Sequence, residues 1–133
     1  MPDRMADGFS YTVQSGKEYQ QALDDVKAKV AEKGFRVLHI HDVTATLGEK
    51  GFAREPYAIV EFCNAKFAHV VLAADELIGL MMPCKINVYV KNGGTYLSAL
   101  RPAAISEFFP GAGVAATAAE VERLVREMVD EAR

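Results

Sequence analysis

The tripeptide Asn92-Gly93-Gly94 constrains the fold more than any other stretch of this chain. It separates two runs rich in β-branched and aromatic residues, Ile86–Lys91 and Thr95–Arg101. Asn-Gly and Gly-Gly supply the positive φ angles that a hairpin loop of two or three residues requires. Two antiparallel strands are therefore expected here.

Other elements follow from periodicity. Phe9, Tyr11 and Val13 alternate with polar residues, the period of a half-buried strand, and Phe35 to Asp42 and Tyr57 to Cys63 read as further strands. Ser15-Gly16-Lys17-Glu18 reads as a capping box opening a helix, on which Tyr19, Ala22, Leu23, Val26 and Val30 share one face before Gly34 stops it. The segment from Thr44 to Pro56 carries Gly48, Gly51 and several charges without apolar period, so a loop or extended hairpin arm is expected. Asn64 caps a short helix through about Ala74, and Asp75 to Pro83 is a second helical or turn segment that Pro83 interrupts. Pro102 to Gly113 is irregular or briefly helical. A second capping box, Thr117-Ala118-Ala119-Glu120, precedes Val121, Leu124, Val125, Met128 and Ala132 at helical spacing.

The order strand–helix–strand–strand–helix–strand–strand–helix specifies an α+β fold. We expect a two-layer sandwich in which one mixed or antiparallel sheet of about five strands carries helices on one face. With 133 residues, 50% of them hydrophobic, the chain is sized for a single domain over 1–133. The Ala/Gly stretch from Gly111 to Ala119 is read as a docking loop in the same chain, the alternative being a hinge that lets the last helix reach a neighbouring subunit.

A net charge of −3 with mixed signs gives no basic stripe for nucleic acid and no polybasic membrane patch. Met1 to Gly8 has no apolar region behind it, and no run of about 18 apolar residues occurs, so a cytoplasmic protein with neither nucleic-acid nor membrane partner is expected. Nothing secretory accompanies the two cysteines, and free thiols are the expectation.

Alternation also assigns faces. Leu38, Ile40, Ala58, Val60, Phe62, Ile86, Val88 and Val90 gather on an apolar side that takes the helices. The other side receives Phe35, Val37, His39, His41, Tyr57, Ile59, Glu61, Cys63, Asn87, Tyr89 and Lys91, provided no β-bulge intervenes. A face so mixed meets a partner subunit or floors a ligand cleft, and a homodimer is expected partly on this ground.

Two groups of residues carry chemistry. His39 and His41 stand on one side of a strand, roughly 6.5 to 7 Å apart at Cα. With Glu61 or Cys63 they are candidates to share a metal, although histidines hydrogen-bonded at a strand end are the commoner outcome, and no metal site is assigned. Cys63 ends a strand directly before Asn64 and a helix start, where unpaired N–H groups favour a thiolate; a small core cysteine is the plain alternative. Cys84 follows Met81-Met82-Pro83 and precedes Lys85, a soft-sulfur setting that suits Cu(I) when it is not simple packing. The two cysteines bracket one helical excursion, and they come within disulfide reach if their strands are neighbours.

The stretches Tyr57–Ala68, Ile78–Ile86 and Leu100-Arg101-Pro102, with the Gly34-Phe35 helix exit, resemble the signature of domain-of-unknown-function family 302. These anchors span about residues 9 to 110 and leave the final helix outside. Ala65 stands where that family's pattern usually has proline after Cys-Asn. The resemblance implies a two-layer α+β fold, often dimeric, no assigned reaction, and Cys63 and Cys84 as the residues of interest.

Three functions are compatible with this reading. The first is a binding or thiol-redox module whose Cys63 and Cys84, with His39, His41 and Glu61 nearby, hold a small molecule, sulfur species or soft metal. The second is an enzyme with Cys63 as nucleophile and a histidine base. The third is a structural or regulatory dimer without chemistry.

Overall fold

A computed structural model describes residues 4–6 and 8–133; the rest of the N-terminal stretch considered above lies outside them. The six strands are β1 (Arg4–Ala6), β2 (Ser10–Ser15), β3 (Arg36–Asp42), β4 (Tyr57–Cys63), β5 (Cys84–Lys91) and β6 (Gly94–Leu100). They form one sheet in the order β1-β2-β6-β5-β4-β3, with every neighbouring pair antiparallel. The hairpin between β5 and β6 turns on Asn92 and Gly93, at φ 51° and 79°, so its loop has two residues.

The α-helices among the described residues are α1 (Tyr19–Glu32), α2 (Val43–Gly48), α3 (Ala65–Ala74), α4 (Pro102–Ser106) and α5 (Ala115–Ala132). A 3-10 helix spans Glu76–Met81. The long helices α1 and α5 pack against each other and together cover one face of the sheet. Ala22, Val26 and Val30 of α1 and Val125, Met128, Val129 and Ala132 of α5 meet Tyr11, Val13, Val60, Phe62, Ile86, Val88 and Leu97 there. Phe62, Ile86, Leu97 and Met128 are among the largest fully buried side chains, each worth about 1.5–3 kcal/mol of burial. The final helix thus docks on its own chain.

Several local expectations change. Neither capping box forms. Ser15 is held in β2 opposite Thr95, its hydroxyl accepts from the Lys17 N–H, and α1 starts only at Tyr19. Likewise α5 begins at Ala115, which places Thr117 inside the helix, because Val114 tucks into the core just before it. The segment expected as a loop or arm contains α2, whose first turn is capped by Asp42 accepting from the Ala45 N–H at 2.9 Å.

The faces are as expected except in β3. There the register shifts between Val37 and His39, so Val37 lies opposite Phe62 and His39 opposite Glu61, and Leu38 is the extra residue. The bulge turns Val37 inward against the core and leaves Leu38 53% exposed, the reverse of strict alternation. Phe35, just before the strand, is also in the core.

Candidate functional site: an apolar cavity walled by two cysteines

The site lies at the end of the sheet where β4 leaves and β5 enters. Asn64 sets the exit of β4: its side-chain oxygen accepts from the Phe67 N–H at 3.2 Å and caps α3, while its side-chain nitrogen donates to the Gly34 carbonyl at 3.0 Å. Gly34 has φ 85°, the left-handed turn that ends α1. One side chain therefore fixes the start of α3 relative to the end of α1.

From Asn64 the helix α3 turns Phe67, Ala68 and Val71 inward, and the 3-10 helix contributes Ile78 and Met81. Met82 and Pro83 follow, and Pro102 and Ile105 of α4 with Ala118 and Val121 of α5 close the far side. These line a half-open cavity of about 90 Å³ whose surface is almost wholly apolar. Both Cys63 and Cys84 line it.

The ladder brings both to this end of the sheet but on opposite faces: Cys84 shares the inward face of Phe62, while Cys63, paired with Arg36, turns the other way. Cys84 stands opposite Phe62 in the β4–β5 pairing, so Cys63 is one step along from it, with Cα atoms roughly 6 Å apart from strand spacing and rise. Both cysteines are free and half-buried. Burial pushes the Cys84 thiol up to about 11, the nearby Cys63 adds to the rise, and Lys85 opposes it. Cys84 is therefore a neutral thiol at pH 7.

The second candidate group gathers elsewhere. His39 and His41 are exposed on the open face of the sheet, with ring centroids 4.4 Å apart and edge to face. The His41 Nε2 makes a short contact with Glu61 Oε1. Packing of α2 against β4 makes a shallow cleft of about 280 Å³ beside them, lined by His41, Val43, Thr46, Leu47, Ile59, Glu61 and Lys85. Among the described residues, no hydrogen bond joins this group to Cys63, and no three His, Cys, Asp or Glu side chains converge as a metal-ligand set. The five candidate residues do not form one cluster: the fold divides them into two cysteines at the cavity and a histidine–glutamate group on the open face.

Further along the open face, Tyr57, Tyr89 and Tyr96 stack across three strands with centroids 5.1 and 5.8 Å apart. Asn87 donates to the Tyr57 hydroxyl at 2.7 Å, and its side-chain oxygen is shielded without a partner.

A family model described as Domain of unknown function DUF302 matches residues 11–132. The chain belongs to this family. A crystal structure of an uncharacterised conserved DUF302 protein from Bacillus stearothermophilus is 30% identical, with a TM-score of 0.88 over 94% of this chain and 98% of that one. No curated protein matches the chain. The DUF302 match runs through α5, beyond the sequence anchors recognised above, and α5 supplies part of the cavity wall. Among the described residues no helix is long and apolar enough to cross a membrane.

Two contributors to this DUF302 site were not singled out from sequence. Asn64 reads as a cap in the sequence, but its reach to Gly34 depends on tertiary placement. Glu122 sits in an amphipathic helix and looks like a solvated residue, yet it is 8% exposed and accepts from Arg101 Nε at 3.2 Å and from the Ala103 N–H at 3.1 Å. It ties α5 to the start of α4, and so holds the far wall of the cavity. The Arg101-Pro102 step was the available signal, since the N–H groups of a helix beginning at proline need an acceptor.

Proposed function

We propose that this DUF302 protein is a small-ligand binding module that takes a compact, soft or apolar ligand into the cavity against Cys63 and Cys84. The observation that carries this reading is the presence of both thiols on the wall of one apolar cavity. Its size limits the ligand: a dry cavity of about 150 Å³ accommodates benzene. A space of about 90 Å³ suits a ligand of only a few heavy atoms, which favours a sulfur species or a single ion over a nucleotide or large cofactor.

Methyl methanethiosulfonate, a neutral reagent of few atoms that transfers a methylthio group to thiols, tests the reading. The folded, reduced chain is treated and followed by mass spectrometry and amide NMR. Modification of Cys63 without denaturant, with amide shifts confined to α3, the 3-10 helix, α4 and the start of α5, is the expected result. A chain that reacts only after denaturation, or whose shifts fall elsewhere, overturns the proposal.

A further inference from the structure

We infer that the cleft between α2 and the open face of the sheet is a second binding site, for a free α-amino acid with an apolar side chain. Lys85 takes its carboxylate, Glu61 its ammonium, and Val43, Leu47 and Ile59 its side chain. The site is separate from the cysteine-walled cavity and needs no thiol. Lys85 and Glu61 stand directly opposite each other in the β4–β5 ladder, both on the open face. Residues so placed have Cβ atoms about 4.5–5.5 Å apart, and opposite charges there normally pair. These two turn elsewhere, and among the described residues no ion pair joins them. The Glu61 side chain, 19% exposed, gives Oε1 to His41 and keeps Oε2 for a ligand. Lys85 donates to the Pro83 carbonyl at 3.1 Å, which engages one of the three hydrogens of its ammonium.

An apolar wall adjoins these charges. Val43 and Leu47 are four residues apart on α2 and share one face of it, and Ile59 lies two residues before Glu61 on the same side of β4. The cleft, about 280 Å³, falls just below the roughly 300–1,000 Å³ of drug-sized sites, which suits a smaller ligand. The charge pattern selects among such ligands. A simple carboxylate would meet Lys85 and be repelled by Glu61, and an alkylamine would meet Glu61 and be repelled by Lys85. An α-amino acid carries both charges on one carbon and answers both groups at once. A polar side chain would lose its water against Val43, Leu47 and Ile59 without gaining a partner there.

The test titrates leucine into the isotope-labelled full chain at neutral pH and follows amide NMR. Saturable shifts confined to α2 and to β4 and β5 around Glu61 and Lys85 are the expected result. Isocaproate lacks the ammonium, isopentylamine the carboxylate and glycine the apolar side chain. Each should bind at least about ten-fold more weakly than leucine, as loss of one charge-assisted contact or of a buried side chain implies. Lys85→Met and Glu61→Gln should weaken leucine by a similar factor, with a thermal melt confirming that each variant is folded. The analogue series on the wild-type chain needs no variant. Isocaproate or isopentylamine binding as tightly as leucine overturns the inference, as does unchanged affinity in both variants. Leucine shifts located at the cysteine-walled cavity, or no saturable shift with leucine, valine or phenylalanine, also overturn it. The methylthio experiment reads a different set of amides, so the two sites stand or fall separately.

Discussion

Asn64 donates from its side-chain nitrogen to the carbonyl oxygen of Gly34 at 3.0 Å while its side-chain oxygen caps α3. The two functions separate by substitution. Asp at this position still accepts from the Phe67 N–H but has no hydrogen to give Gly34. We expect Asn64→Asp to cost about 0.5–1.5 kcal/mol, the worth of one hydrogen bond. Asn64→Ala should cost about 1 kcal/mol more, the usual loss of a cap. Urea unfolding of the three proteins checks this: an Asn64→Asp midpoint equal to wild type would refute the bridge, and equal midpoints for Asn64→Asp and Asn64→Ala would refute the cap.

The bulge in β3 yields a second contrast. Val37 packs against the core and the adjacent Leu38 stands 53% exposed, so a polar residue should be tolerated at the second position and not at the first. Leu38→Ser is expected within about 0.5 kcal/mol of wild type, as for ordinary surface changes. Val37→Ser should destabilise by about 1–3 kcal/mol, through lost burial and a hydroxyl placed against apolar neighbours. Thermal melts that rank the two the other way would show strict alternation in this strand.

These residues also show what could be read in the sequence. Tyr57 to Cys63 alternates cleanly, and β4 occupies those residues with Ala58, Val60 and Phe62 inward. The Asn92-Gly93 loop and the Gly34 stop are legible because positive φ falls on residues that accept it. The bulge is not legible, since Val37 and Leu38 are equally apolar and only the partner strand decides which one is extra. Both capping boxes failed for a related reason: a local hydrogen-bond motif gave way to sheet pairing at Ser15 and to burial of Val114. For the site, Cys63 and Cys84 could be named from their neighbours. Their separation from His39, His41 and Glu61 required knowing that the cavity opens at the strand ends while the histidines lie on the open face.

Glu122 makes stability depend on acid. Burial raises its carboxyl, but the Ala103 N–H and the Arg101 and Arg126 guanidinium groups outweigh that and hold it below the ordinary value of 4.5. The folded state therefore favours the carboxylate, and its contribution is complete above that value and fades as pH falls through the lowered one. Glu122→Gln should remove about 1.5–3 kcal/mol at pH 7, since hydrogen bonds to charged groups are worth that much. The gap between variant and wild type should narrow as pH falls below the ordinary carboxylate value and through the lowered one. Unfolding free energies at pH 7, 5 and 3.5 measure it, and a gap unchanged across that range would sink the assignment.

Cys84 should resist alkylation at neutral pH although it lines a cavity. With its thiol pushed up to about 11, only about one molecule in ten thousand is thiolate at pH 7, and the thiolate is the nucleophile. Its rate with iodoacetamide in the folded chain should rise about ten-fold per pH unit from pH 7 to 10, without levelling off. Cys63→Ser should speed Cys84 at a given pH, because the neighbouring thiol contributes to the rise, and Lys85→Met should slow it, because the ammonium opposes it. Peptide mapping after timed quenching separates the two cysteines. A plateau for Cys84 near pH 8 would mean that burial does not govern this thiol, and an unchanged rate in Cys63→Ser would mean that the two sulfurs do not sense each other across the β4–β5 ladder.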